Sequence, residues 1–347
     1  MTEGSNPFQS FEFHQALEKS FSVGANSGWN PLPVVSEEGI LLSYIKNHSY
    51  GEYIFDWGWA DAYHRSGLNY YPKLTSMIPF TPATSPHFLM KEFKTAAALE
   101  LLGKQMEIYQ QHPFSSNHFL FLTEAEIPLF ESQKFLIRES MQYHFFNQGY
   151  VDFEDYLSRL KSKKAKNIRE ERKVPGVEIR RLTGEELTPQ HAKEMYQFYL
   201  STIDKKNASD YLKEDFFELV FTTMKNQVLY VRASLEGKPI AGSLFFYGTE
   251  RLYGRYWGSY QFVEHLHFEL CFYQGIEFCL EKGLKVFEAG AQGEHKIQRG
   301  FTPIRTYSAH HIKHQGFHQA ISQFIDQEKT YISEAIEELK LKLPFKN

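Results

Sequence analysis

Three runs of strand-forming residues follow one another almost without pause, at 227–235, 240–247 and 252–258. The first gap is Glu236-Gly237-Lys238-Pro239, and the second is built on Gly248-Thr249-Glu250. Connections this short close antiparallel hairpins and leave no room for the crossover that a parallel neighbour requires. The second half of the chain must therefore build a sheet with an antiparallel centre. Around it the pattern predicts a strand over 177–182, helices over 185–205 and 213–225, a helix over 262–282, a strand entering 286 and a strand over 305–312. A final amphipathic helix carries Phe317, Ile321, Phe324, Tyr331, Ile332 and Leu339 at helical spacing. The order β-α-α-β-β-β-α-β-α-β is mixed and reads as α+β with a central, mainly antiparallel sheet.

A chain of 347 residues is long for one core, which predicts two domains, 1–150 and 176–347, joined by a basic helix over 151–175. In the first, strand-forming residues over 40–56 precede a helix over 57–65, closed by Ser66-Gly67. A Pro-punctuated stretch, a helix over 91–111, a strand over 118–122, a helix over 124–132 and a strand over 135–146 follow. The linking segment 153–173 reads as one helix with Leu157, Leu160, Lys164 and Ile168 along one stripe. Lys163, Lys166 and Arg169 lie among the basic residues around it, either as a phosphate or tRNA contact or as a solvated face.

The net charge of −4 argues against stable DNA binding. Cys271 and Cys279 stand eight positions apart in one predicted helix, about 12 Å along its axis and too far for a disulfide. No run of about 20 apolar residues and no apolar signal core is present, so a cytoplasmic protein without a transmembrane segment is expected. The aromatic share of 16% leans toward a ligand with flat or ring-shaped parts.

The densest chemistry lies in 286–301, VFEAGAQGEHKIQRGF. A strand runs into a glycine turn and then a short helical start, which leaves backbone N–H groups free to meet an anion or a carbonyl oxygen. Glu288, Glu294, His295, Lys296 and Arg299 crowd around that turn. His265 and Glu269 stand at i and i+4 on a helix, but spacing supplies no third ligand, and His310, His311, His314 and His318 match no zinc signature, so no metal site is expected. In the first half, His48, Tyr50, Glu52, Trp57, Trp59, Tyr71 and Lys73 alternate rings with charges, either as a sugar- or peptide-binding groove or as a core with satisfied polar tips.

Several segments together resemble the FemAB-like family of peptidoglycan biosynthesis or recognition. They are His48-Ser49-Tyr50-Gly51-Glu52-Tyr53, Tyr70-Tyr71-Pro72-Lys73-Leu74, Pro79-Phe80-Thr81-Pro82, Tyr256-Trp257-Gly258, Leu266-His267-Phe268-Glu269 and Glu288-Ala289-Gly290-Ala291-Gln292-Gly293-Glu294-His295-Lys296. The resemblance covers nearly the whole chain and implies two GNAT-like (acyl-CoA N-acyltransferase-like) domains in tandem. It further implies a transferase that moves an aminoacyl or acyl group onto an amine acceptor such as a peptidoglycan-type precursor peptide. The donor would be aminoacyl-tRNA or acyl-CoA, with no cofactor certain. Arg255-x-x-Gly258-x-Tyr260 is the nearest approach to the pyrophosphate loop of CoA-using relatives, and it falls inside a predicted strand. The alternatives are a non-catalytic module that recognises muropeptides and a CoA-dependent small-molecule N-acyltransferase.

Acyl transfer to an amine requires removal of a proton, a holder for the tetrahedral oxyanion and a positioned donor. Lys296 and Arg299 are expected to hold negative charge, while Glu294, His295 or Glu288 takes the proton. Glu288, Gln292, Gly293, Tyr256, Trp257, His267 and Glu269 are expected to line the substrate in the second half. His48, Tyr50, Glu52, Trp57, Tyr71 and Lys73 are expected to do so in the first.

Overall fold

The computed structural model describes residues 6–24, 26–205, 209–290 and 293–346. Its contacts divide the chain into two compact units, each assembled from separated segments. Of the described residues, unit 1 takes those within 23–141 and 305–337, and unit 2 those within 6–22, 142–304 and 338–346. Unlike the sequence division into 1–150, 151–175 and 176–347, this one places most of the C-terminal helix with the first half. The cause is strand pairing: Tyr307–Ile312 run antiparallel to Ser116–Leu122, and the helix Gln315–Lys340 follows directly.

In unit 1 the strands Trp29–Pro31, Tyr44–Lys46, Lys73–Ser76, Ser116–Leu122 and Thr302–Ile312 lie in that order. All neighbours are antiparallel except Lys73–Ser76 beside Ser116–Leu122. Alternation along the strands decides the two faces. Phe119 and Ala309 pack with Ala98, Leu101 and Leu102 of the helix Thr95–Gln111. Ile312 packs with Trp59 and Tyr63 of the helix Trp57–Arg65 and with Ile321 and Ile325 of the C-terminal helix.

Unit 2 is mixed and mainly antiparallel, as the hairpin spacing requires. Residues 144–146 pair with Val286–Glu288, followed by Arg251–Ser259, Lys238–Tyr247, Val228–Leu235 and Val177–Leu182. The parallel neighbours are Arg251–Ser259 and Val286–Glu288. On one face Phe246 meets Phe8 and Phe13, and Phe13 meets Phe216. On the other, Gly275 lets the helix of 266–282 lie against Phe245 and Phe287. No described helix is long and apolar enough to cross a membrane.

The basic segment expected as one helix is two, Phe153–Ser158 and Ser162–Glu171. Between them Leu160 forms a β-bridge with Phe345, while Lys161 N–H donates to the Pro344 carbonyl and Lys346 N–H to the Arg159 carbonyl. Those extended bonds to the chain terminus replace the helical ones. The helix expected from 262 begins at Leu266, because His265 takes a left-handed conformation (φ 62°), and residues 269–273 form a π-turn.

Candidate active site

The strands Arg251–Ser259 and Val286–Glu288 pair over only three residues each, ending at Tyr253 and Glu288. Arg255 is the extra residue of a bulge against Leu244 and Phe245. Bulges of this kind re-aim side chains and end pairing, often beside active sites. Beyond Glu288 the chain turns through Gly290 and Gly293, both at positive φ, into the 3-10 turn Glu294–Arg299. Glycine is required there, since left-handed backbone is costly for any residue with a Cβ.

Glu288 is buried, and its Oε1 accepts from Arg251 Nη1 at 2.7 Å. Its Oε2 has no hydrogen-bond partner among the described residues and lies 3.8 Å from His144 Nε2. Burial pushes its pKa up to about 7, against the pull of Arg251 and Arg255. His144, which meets Gln142 Oε1 at 3.2 Å, is driven down to about 3 by burial first and then by the charges of Arg251 and Lys296. It is therefore neutral at physiological pH.

Lys296 is 3% exposed and donates from Nζ to the Gly290 carbonyl at 2.8 Å. Burial lowers its pKa to about 7. The Cys271 thiol, at the π-turn, is pushed up to about 12 by burial and stays protonated. Arg299 is also buried, but most of its donors are already used. Nε donates to Tyr273 Oη at 2.9 Å, Nη1 to the His295 carbonyl at 2.8 Å and Nη2 to Glu171 at 2.7 Å. Its guanidinium lies 3.5 Å from the centre of the Phe268 ring. Arg299 is thus tied to the turn and to its surroundings by three of its N–H groups. Arg299→Met should destabilise unit 2 by about 2 kcal/mol in urea unfolding, because Glu171 and Tyr273 lose their shared partner; a change below about 0.5 kcal/mol would contradict this.

Glu294 and His295 are exposed, although the His295 ring lies against Phe268 and Phe272. Partial burial, then Arg299 and Lys296, hold its pKa below the usual imidazole value. Of the three bases left open by sequence, Glu288 alone is enclosed. Gln292 lies outside the described residues.

Trp257 and His267, with rings 5.2 Å apart, line a cavity of about 410 Å³ together with Phe262 and Phe268. His267 and Phe268 also touch His295, so this cavity adjoins the reactive turn. Tyr256, by contrast, packs on Tyr199 and Phe217. Glu269 is buried in an ion pair with Arg172 at 3.1 Å and accepts from Gln274 at 2.7 Å, which corrects its expected place on a substrate wall. The i, i+4 pairing with His265 is not assembled, since His265 precedes the helix and faces Glu264 at 3.6 Å. Gly258 belongs to helix packing: a Cβ there would lie 1.6 Å from the Phe198 carbonyl oxygen.

The expected groove of unit 1 separates into an outer strip and a buried network. Tyr50 and Trp57 are exposed with rings 5.0 Å apart, and His48 stands 5.2 Å from Tyr50. Lys73 and Glu52 are sealed inside. Lys73 Nζ donates to Ser49 and Glu52 at 2.8 Å each and also to Asp56, while Tyr71 Oη meets Ser49 Oγ at 2.8 Å. Burial pushes the Lys73 pKa down, but Asp56 and Glu52 outweigh it and raise the value. These charges pair with one another, although Glu52 Oε1 and Asp56 Oδ1 meet no hydrogen-bond partner among the described residues. On the basic segment Lys163 and Lys166 are exposed, whereas Arg169 pairs with Glu154. Lys164 bonds Gln298 and so joins this helix to the reactive turn.

The profile of the FemAB-like family, described as peptidoglycan biosynthesis/recognition, matches residues 1–347. The chain belongs to the FemAB-like family. Its fold is that of FemX, with a TM-score of 0.55 at 10% identity over 92% of this chain and 95% of FemX. L-PGS from Bacillus licheniformis is similar in the same way, with a TM-score of 0.54 at 11% identity over 93% of this chain and 98% of that one. No curated protein matches the sequence significantly. Within this FemAB-like chain, sequence reading missed Arg251, His144, Tyr273 and Glu171. Each is distant in sequence from the residue it supports, and no local pattern marks it.

Proposed function

We propose that this FemAB-like protein transfers an aminoacyl group from aminoacyl-tRNA to an amine on a peptidoglycan-type precursor peptide. The observation that carries the reading is the pair Glu288 and Lys296, two enclosed ionisable groups, one at the end of the strand Val286–Glu288 and one in the turn Glu294–Arg299, each drawn to about 7. Functional acids and bases cluster where burial shifts pKa values in this way.

In the first step the Glu288 carboxylate takes a proton from the acceptor ammonium. The freed amine attacks the ester carbonyl carbon, and the new oxyanion is held by the Lys296 ammonium. Collapse breaks the bond to the ribose oxygen, which leaves with the proton held by Glu288; the regenerated carboxylate then takes the remaining extra proton from the attacking nitrogen and releases it to water, and an amide remains. Trp257, His267 and Phe268 supply aromatic walls for the donor end. Lys163 and Lys166 contact the tRNA phosphates.

The test is transfer from radiolabelled aminoacyl-tRNA, and in parallel from acyl-CoA, to muropeptide amines. Lys296→Ala should lower kcat by about a hundredfold, the scale of losing one oxyanion-holding group. Unchanged kcat removes the assigned role. The family's description also includes recognition, so saturable muropeptide binding with no turnover of either donor would replace transfer by binding alone.

A further inference from the structure

The strand Val177–Leu182 ends the unit 2 sheet and has a single strand neighbour, Val228–Leu235. Register shows which of its main-chain groups point away from that neighbour. Tyr260 N–H donates to the Ile240 carbonyl at 3.0 Å, and antiparallel pairs alternate between bonded and unbonded. Gly242 and Gly258 are therefore a bonded pair. That turns the backbone of Ser243 toward Val231, and the backbone of Arg232 toward Arg180. Ile179 and Arg181 consequently aim their N–H and carbonyl groups outward, with no other strand there to meet them among the described residues. A row of this kind is a template for pairing with another strand.

The side chains select the partner. Glu178 and Arg180 are exposed on one face of the strand, and neither has an ion pair among the described residues. Arg180 stands opposite Arg232, a like charge whose own partner is Glu194 at 2.7 Å. Edge charges of one sign repel a second copy of the same edge. Here the two signs lie evenly about Ile179, so the edge is complementary to itself. Two copies paired antiparallel about Ile179 set Glu178 against the partner's Arg180, and Arg180 against the partner's Glu178. Both contacts fall at unbonded positions, where opposed Cα atoms approach to about 4.5 Å and side chains are closest. Ile179 meets the partner's Ile179 at a bonded position, where the two exchange N–H···O bonds. A centre one residue to either side would oppose Glu178 or Arg180 to its own like charge.

We propose that Val177–Leu182 is the docking edge for a second copy of this chain, joined to it antiparallel about Ile179 with twofold symmetry. The two copies present the same patch, as a closed symmetric dimer requires. The strip is narrow beside the roughly 1,200–2,000 Å² of stable interfaces, so the dimer is a reversible one. It stands independently of the transfer chemistry assigned to unit 2.

The test is sedimentation equilibrium of the full chain. Interfaces of standard size begin at micromolar affinity, so this narrower one should give a monomer–dimer equilibrium with a Kd of about 10–100 µM. Raising salt from about 50 to about 500 mM should weaken it about threefold, because both charge pairs are exposed. Glu178→Arg and Arg180→Glu each turn both pairs into like charges and should each weaken self-association by about tenfold or more. Both positions are exposed, so the fold and Tm persist. An equimolar mixture of the two variants should associate again, and the chain carrying both reversals should dimerise as wild type does. A chain that stays monomeric to about 500 µM, well above that range, would overturn the proposal. So would a dimer indifferent to the single reversals, or singly reversed variants that fail to associate with each other.

Discussion

Glu288→Gln should lower the rate of the proposed transfer by about a thousandfold and remove the acid limb of its pH profile, on the scale expected for loss of a positioned base. The substitution keeps the shape of the side chain and still offers Arg251 an acceptor, so the strand end stays in place. What it removes is the ability to take a proton. The direction of the wild-type profile follows from the two shifts. Burial raises the Glu288 pKa to about 7, so below that pH the carboxyl is protonated and cannot act. Activity therefore climbs as pH rises through about 7. Lys296 moves the other way: its pKa falls to about 7, and its charge is lost above that pH. The product is a bell with its maximum near neutrality, and in Glu288→Gln only the alkaline limb persists. The measurement is kcat/KM from pH 5 to 9, a range of about two units on either side of neutrality. A variant within threefold of wild type, or one that keeps the acid limb, would exclude Glu288 as the base.

Gly258→Ala should be the most damaging single methyl in unit 2. The added Cβ would lie 1.6 Å from the Phe198 carbonyl oxygen and 2.2 Å from its carbon. Both are backbone atoms in the middle of the helix Pro189–Lys205 and cannot swing aside as a side chain does. That helix is also tied to the strand, since Thr202 Oγ1 donates to the Trp257 carbonyl at 2.6 Å and Lys205 Nζ to the Ser259 carbonyl at 2.7 Å. Relief requires the helix to lift from the sheet. The loss should be at least about 3 kcal/mol, at the upper end of overpacking effects. Trp257 is the one tryptophan of unit 2, so urea unfolding followed by its fluorescence reports the change, with the other three replaced by Phe. Gly103→Ala is the contrasting case. That glycine sits in the helix Thr95–Gln111 with nothing within 4 Å of an added Cβ, so the exchange should stabilise by up to about 1 kcal/mol. Equal, small effects at both positions would refute the packing argument.

Local pattern carried far in this chain. The helix Trp57–Arg65 falls where its start and its Ser66-Gly67 stop place it, and the meander of 228–259 follows from its short turns. The candidate turn at 289–300 was legible because glycines and charged residues lie side by side in sequence. Less legible was the burial of each charge. Glu52 and Lys73 alternate with aromatics just as a groove would, yet the strand Lys73–Ser76 is covered on both faces and closes over them. The basic segment has a continuous helical pattern, but pairing of Leu160 with Phe345 breaks it.

By itself, the sequence determined element types, the antiparallel centre of unit 2 and the clustering of Glu288, Lys296 and Arg299, because periodicity, turn length and adjacency are properties of neighbours. Tertiary structure alone decided that Glu288 and Lys296 are dehydrated near neutrality while Arg299 is held by Tyr273 and Glu171. It also decided that residues 305–337 join the first half. Desolvation and strand partnership depend on atoms brought close from far along the chain, and no local spacing encodes them.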